Sequence, residues 1–171
     1  IVGGSLGART INQSIAAHLD VLSDAGIQII WQTGKFYIEN ARKEAAAYQS
    51  PSLLVTDFVS RMDYAYAIAD LVISRAGASS ISELCLLSKP TILVPSPNVA
   101  EDHQTQNALA LVRENAAVMI KDIDAKETLI TKALELIDNS KALKELSTNI
   151  QKLAEKNSAE RIADEVIKLI N

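Results

Sequence analysis

Two short stretches of this chain combine residue types that can hold an anion. The first is Gly3-Gly4-Ser5-Leu6-Gly7-Ala8, directly after the apolar pair Ile1-Val2. Glycines between a strand and a helix let backbone N–H groups approach an anion at the helix start. The second is Ser74-Arg75-Ala76-Gly77-Ala78-Ser79-Ser80-Ile81-Ser82-Glu83, after Leu71-Val72-Ile73. Here Gly77 permits close approach, Ser79 or Ser80 can cap a helix, and first-turn N–H groups remain free. Glu83 lies about one turn further on, where an acid caps a helix or accepts hydrogen bonds from sugar hydroxyls. Either stretch alone is equally a tight turn. Together they suit a diphosphate.

Two further stretches add polar variety. The segment 95–108 offers Asp102, His103, Gln104 and Asn107, a carboxylate, an imidazole and two amides that suit sugar hydroxyls. It is long for a strand-to-helix connection. Val55-Thr56-Asp57-Phe58-Val59 leaves another apolar run, and its backbone can face the edge of a base. The glycines match neither the P-loop nor the dinucleotide spacing, and Gln32-Thr33-Gly34 stands where a dinucleotide fold expects an acid. No metal-ligand spacing is present around His103, and His18 falls inside an expected helix.

These stretches need a scaffold, and the hydropathy pattern supplies one. Apolar runs at 1–2, 27–32, 53–55, 71–73, 91–94 and 117–120 alternate with helical patterns at 8–23, 36–48, 62–69, 79–87 and 103–114. From about Ala125 everything reads helical, with Lys and Glu on its exposed faces. The alternation predicts an α/β fold, a Rossmann-like doubly wound parallel sheet of about six strands with helices on both faces. Such sheets bind ligands outside the carboxyl ends of their strands, where strand order reverses. Ile1-Val2 is short for a strand, so the chain is expected to continue upstream.

Bulk properties narrow the classes. A length of 171 residues suits one α/β domain. The net charge of −4 and the few aromatic residues argue against nucleic acid. There is no run of eighteen apolar residues and no signal-peptide pattern. The single Cys85 sits among leucines and reads as a buried thiol.

Taken together, GGSLGA at 3–8, VTDFV at 55–59, SRAGASSISE at 74–83 and EDHQTQNA at 101–108 resemble the MurG family of peptidoglycan N-acetylglucosaminyltransferases. The resemblance covers nearly the whole chain and only the C-terminal half of that enzyme. It implies that residues 1–171 are the UDP-GlcNAc-binding domain of a GT-B enzyme, with an acceptor-binding N-terminal domain outside the chain. It implies that Gly4, Ser5 and Gly7 face the donor diphosphate and that the Val59 backbone holds uracil. Gly77, Ala78, Ser79, Ser80, Ile81 and Ser82 form the helix start at the phosphates, Glu83 holds the ribose, and His103, Gln104 and Asn107 meet the sugar. Family members also carry Gln, Ser, Leu and Gln at positions 6, 76, 79 and 103. The implied reaction transfers GlcNAc, with inversion, to lipid-linked MurNAc-pentapeptide at the cytoplasmic face of the membrane. No cofactor and no metal are implied, and membrane contact belongs to the full-length protein. Another UDP-sugar transferase, an epimerase, a non-catalytic nucleotide-sugar module and a structural domain remain as alternatives.

Overall fold

The computed structural model describes residues 1–4, 7–48 and 51–169. Five parallel strands form: β1 (Ile29–Gln32), β2 (Leu53–Thr56), β3 (Val72–Ser74), β4 (Thr91–Leu93) and β5 (Val118–Met119). β1 pairs with β2, β3 with β4, and β4 with β5. The expected first strand is reduced to one residue. Val2 bridges Gln32 on one side and Ser74 on the other, both in parallel sense. It therefore stitches the two groups of strands into the order β2-β1-Val2-β3-β4-β5. With Val2 counted as the first position, this is the order of the doubly wound nucleotide-binding fold, and it reverses between Val2 and β3. The sixth expected strand keeps its place in the sheet but not its length.

Side chains alternate across the sheet as strand geometry demands. On β3, Val72 and Ile73 enter opposite cores; on β4, Ile92 and Leu93 do the same. One core gathers Ile11 and Ile15 of α1 (Arg9–Ala16), Leu19 and Leu22 of α2 (Leu19–Asp24), and Ala41 of α3 (Ile38–Ala45) around Trp31. Leu129, Ala133 and Leu136 complete it from the later helix Ala125–Ile137. The other core collects Tyr66 of α4 (Met62–Ile68), Leu84 and Cys85 of α5 (Ala78–Leu86), and Ala108 and Leu111 of α6 (His103–Arg113). Helices thus cover both faces.

Three helical expectations change in detail. The helix expected over 8–23 is two helices, because the chain breaks at His18 (φ −131°, ψ 26°). His18 is partly buried, and its Nδ1 donates to the Ser14 carbonyl at 2.9 Å. The segment expected over 36–48 starts at Ile38 and ends in a 3-10 turn, Ala46–Tyr48. The tail divides into α7 (Ala125–Ile137), α8 (Ser140–Gln151) and α9 (Ser158–Lys168). Along α9 the charged face is exposed as expected, and so are Ile162, Val166 and Ile167. No helix among the described residues is long and apolar enough to cross a membrane.

Gly3 and Gly7 are packed without clearance, whereas Gly4 has open space around it. A Cβ on Gly3 would stand 2.7 Å from the Gln32 carbonyl oxygen, and one on Gly7 only 2.5 Å from that of Thr33. Gly7 also has a φ of +84°, in the left-handed region. Gly26 shares that backbone region, at +67°, but with open space around it. Gly26→Ala is expected to cost about 1–2 kcal/mol, from backbone conformation alone. Gly7→Ala adds a backbone collision and is expected to cost roughly 2–4 kcal/mol. Urea denaturation of the two variants side by side checks the order. Burial also pushes the Cys85 thiol above its ordinary range, so a thiol reagent is expected to label Cys85 only once denaturant opens the core.

Candidate functional site

The exits of β2, Val2, β3 and β4 lead into the predicted site segments 55–59, 3–8, 74–83 and 95–108, of which residues 5 and 6 lie outside the described residues, and β1 exits between them at Thr33. Parallel strands place all of these at one edge of the sheet. At its middle, two helix starts flank the reversal of strand order. α1 begins after the glycine loop, with Ala8 as its N-cap, and α5 begins after Gly77. Neither cap residue makes a side-chain capping bond. The N-cap of α5 is Gly77, not Ser79 or Ser80, which lie inside the first turn. With no capping side chain, the N–H groups of Ala78, Ser79 and Ser80 lack acceptors within their own helix. They carry the positive end of the helix dipole toward the crevice.

Gly77 is open where Gly3 and Gly7 are closed. A Cβ placed there meets nothing nearer than Ser80 Oγ, at 4.0 Å. The glycine pattern therefore has two causes: close packing of the chain on itself in the first loop, and access to the helix start in the second. Ser82 points its hydroxyl back to the Ala78 carbonyl at 3.0 Å. Ser5 falls outside the described residues.

A buried polar link fixes the first loop against the end of β1. Trp31 Nε1 donates to Asn12 Oδ1 at 2.9 Å, and Asn12 Nδ2 donates to the Thr33 carbonyl at 2.8 Å. Gly3 N–H donates to the Gln32 carbonyl at 2.9 Å. Gln32 itself is buried, and its Oε1 has no hydrogen-bond partner. A second link fixes the exits on the other side. The Arg75 guanidinium pairs with Asp122 and donates from Nη1 to the carbonyls of Val94 and Pro95, at 3.1 and 3.2 Å. Asp122 also accepts from Thr10 Oγ1, in the first turn of α1, at 2.8 Å.

Glu83 is exposed on α5 and does not cap it. Its Oε2 accepts a hydrogen bond from the Tyr66 hydroxyl at 3.2 Å. Burial, with Glu83 nearby, pushes the Tyr66 phenol up to about 12, so it stays a donor at any physiological pH. After β4, Gln104 Oε1 accepts from the Ser96 N–H at 2.9 Å, and Asn107 Nδ2 donates to the Ala76 carbonyl at 3.1 Å. Both amides thus brace the edge, and each keeps a further polar atom. Glu101 and Asp102 take left-handed backbone angles just before His103, the first residue of α6. His103 is exposed and partnered. Val59 lies partly buried beyond β2, with the Phe58 carbonyl held by Thr56 Oγ1 at 2.9 Å.

Asn12, Tyr66, Arg75 and Asp122 were not singled out as functional from the sequence. Asn12 alone left a local signal, as a polar residue beside Ile11 within an apolar helix face. An apolar cavity of about 600 Å³ is lined by Ile1, Gln28, Ile30, Asp70 and Leu71 toward the opposite ends of the strands, and it extends to Val59 and Tyr66. Among the described residues no group of three or more His, Cys, Asp or Glu is placed to hold a metal.

The glycosyltransferase family 28 C-terminal domain model matches residues 1–165. The chain belongs to that family. Among relatives of this family 28 domain is the UDP-N-acetylglucosamine–N-acetylmuramyl-(pentapeptide) pyrophosphoryl-undecaprenol N-acetylglucosamine transferase of Parabacteroides distasonis. It is 58% identical over 171 residues, covering 100% of this chain and 46% of the relative. The protein of the same name from Phocaeicola vulgatus is 63% identical over 170 residues, 99% of this chain and 45% of the relative. The crystal structure of Acinetobacter baumannii MurG superposes with a TM-score of 0.83 at 28% identity, over 98% of this chain and 48% of that one. The family 28 domain therefore has the architecture of the C-terminal half of MurG, and spans less than half the length of these relatives.

The Arg75–Asp122 pair is one-fifth exposed on each side. Asp122→Ala leaves the guanidinium and the Thr10 hydroxyl without their shared partner. It is expected to cost about 2–4 kcal/mol of unfolding free energy. Asp122→Asn, which keeps an acceptor oxygen, is expected to lose less, and thermal and urea unfolding of both variants measure the difference.

Proposed function

We propose that this domain binds UDP-GlcNAc as the donor half of a GT-B glycosyltransferase that makes the lipid-linked disaccharide precursor of peptidoglycan. The observation that carries the reading is the pair of uncapped helix starts, α1 and α5, on either side of the strand-order reversal. High identity along the whole chain to transferases of that name supports the choice of donor.

In this reading the diphosphate lies between the glycine loop (Gly4, Ser5, Gly7) and the α5 start (Gly77, Ala78, Ser79, Ser80, with Ile81 and Ser82 completing the turn). Uracil meets the backbone at Val59. Glu83 accepts the ribose hydroxyls. His103, Gln104 and Asn107 meet the N-acetylglucosamine. The acceptor's muramyl 4-hydroxyl attacks the anomeric carbon from the face opposite the departing UDP, which inverts the configuration. Negative charge grows on the diphosphate as the glycosidic bond breaks. Two helix N-termini aimed at that charge lower its energy as an oxyanion hole does. The acceptor site, the general base and contact with the cytoplasmic face of the membrane are assigned to the part of the full-length protein outside this chain.

Calorimetry with UDP, UDP-GlcNAc and NAD tests the reading. Binding of the two uridine compounds, with none of NAD, is the expected result; NAD binding or no binding at all overturns it. Glu83→Ala is expected to weaken UDP binding by roughly 1–3 kcal/mol. The isolated chain is expected to bind the donor without turning it over, which an assay of GlcNAc transfer checks.

A further inference from the structure

Tyr66 combines two properties that its place in the second core does not require. Its ring is 5% exposed, packed with Val72, Ala76, Leu84 and Cys85. A residue so placed is ordinarily accounted for by apolar packing, and phenylalanine would fill the same space. Yet its hydroxyl reaches the surface of a different helix and donates to Glu83 Oε2 at 3.2 Å. Among the described residues Tyr66 is the side chain that donates to Glu83. The phenol has one proton to give, and it spends it on one carboxylate oxygen, leaving Oε1 for other donors.

We infer that Tyr66 is a positioning residue for the donor site: its buried ring sets the orientation of the Glu83 carboxylate before ligand arrives. This rests on the reading of Glu83 as the acceptor for ribose hydroxyls. An exposed glutamate on a helix ordinarily samples several rotamers, and binding must freeze one of them. A tyrosine rooted in the core makes that selection during folding, so less conformational entropy is lost on binding. The bond has a second consequence. α4 follows the Val59 segment directly, and α5 carries the first-turn N–H groups at its start. The Tyr66–Glu83 bond joins these two helices, so the base-side and phosphate-side segments are held in one register.

The test compares UDP with a UDP analogue lacking both ribose hydroxyls, by calorimetry on the wild-type chain, Tyr66→Phe, Glu83→Ala and the double variant. Tyr66→Phe is expected to weaken UDP binding by roughly three- to tenfold and to leave binding of the dideoxy analogue unchanged. In the Glu83→Ala background, adding Tyr66→Phe is expected to have no further effect on UDP. A purely structural role for Tyr66 would weaken both ligands alike and would persist without Glu83, and that pattern overturns the inference. Unchanged UDP affinity in Tyr66→Phe overturns it as well, while wild-type binding of UDP would leave the donor-site reading standing. If the wild-type chain binds no UDP, the donor-site reading itself has failed. Should Tyr66→Phe prove unstable, Tyr66→Trp is not a substitute; Glu83→Gln is, because it keeps an acceptor for the phenol while removing the charge. Glu83→Gln is then expected to hold more UDP affinity than Glu83→Ala in the presence of Tyr66, and equal affinities overturn the inference.

Discussion

The edge of the sheet where the strands end is held by a shared carboxylate. Asp122 accepts from Arg75, at the exit of β3, and from Thr10, in the first turn of α1. Arg75 in turn reaches the carbonyls of Val94 and Pro95 at the exit of β4. Three strand exits and one helix start therefore converge on one ion pair. Arg75 stands in the anion-binding segment, and by position it invites assignment as a phosphate ligand. Its partners give it a different task, since its Nη1 is engaged within the protein. The cation neutralises a carboxylate that sits beside the first turn of α1. Leaving either charge alone in that half-buried place would be costly.

With charge balanced there, the site is built mainly from dipoles. The groups gathered at the edge are backbone N–H donors at two helix starts, amides of Gln104 and Asn107, hydroxyls, and the carboxylate of Glu83. Preorganised dipoles stabilise a growing charge without reorganising when it appears. That suits a leaving diphosphate. In the proposed reading, the base for the attacking hydroxyl comes from outside this chain.

The sequence reveals this arrangement unevenly. Strand and helix alternation is a local signal, carried by apolar runs and by Gly and Pro between them, and it places every strand position and the two glycine-bearing helix starts. The fine structure is not local. The break at His18 comes inside a periodic pattern that reads as one helix. Gly77 rather than a serine caps α5, because the helix starts at Ala78, ahead of where a cap at Ser79 or Ser80 would start it. The Trp31–Asn12–Thr33 link and the Tyr66–Glu83 bond join residues that are 19, 21 and 17 positions apart. Arg75 and Asp122 are 47 apart. Such pairs become visible only when the sheet order is known. The two glycine motifs looked alike in the sequence; the structure separates them by what a methyl group would strike.

Val2 has a consequence for the order in which the domain assembles. It touches Gln32 and Ser74, the ends of two strands that otherwise belong to separate groups. Each group can pair its own strands through short crossovers, so each closes over modest sequence distances. Joining them requires Ile1, Val2 and Gly3 to find partners on β1 and β3 far along the chain, a closure of high contact order and hence slow. The two helix starts face one another only after that closure. A crevice formed between the two helix starts is thus a property of the complete sheet and is absent from either half-sheet alone. A nucleotide diphosphate that needs both helix starts would bind only chains that have completed the sheet, and its occupancy would report the end of folding rather than any earlier compaction.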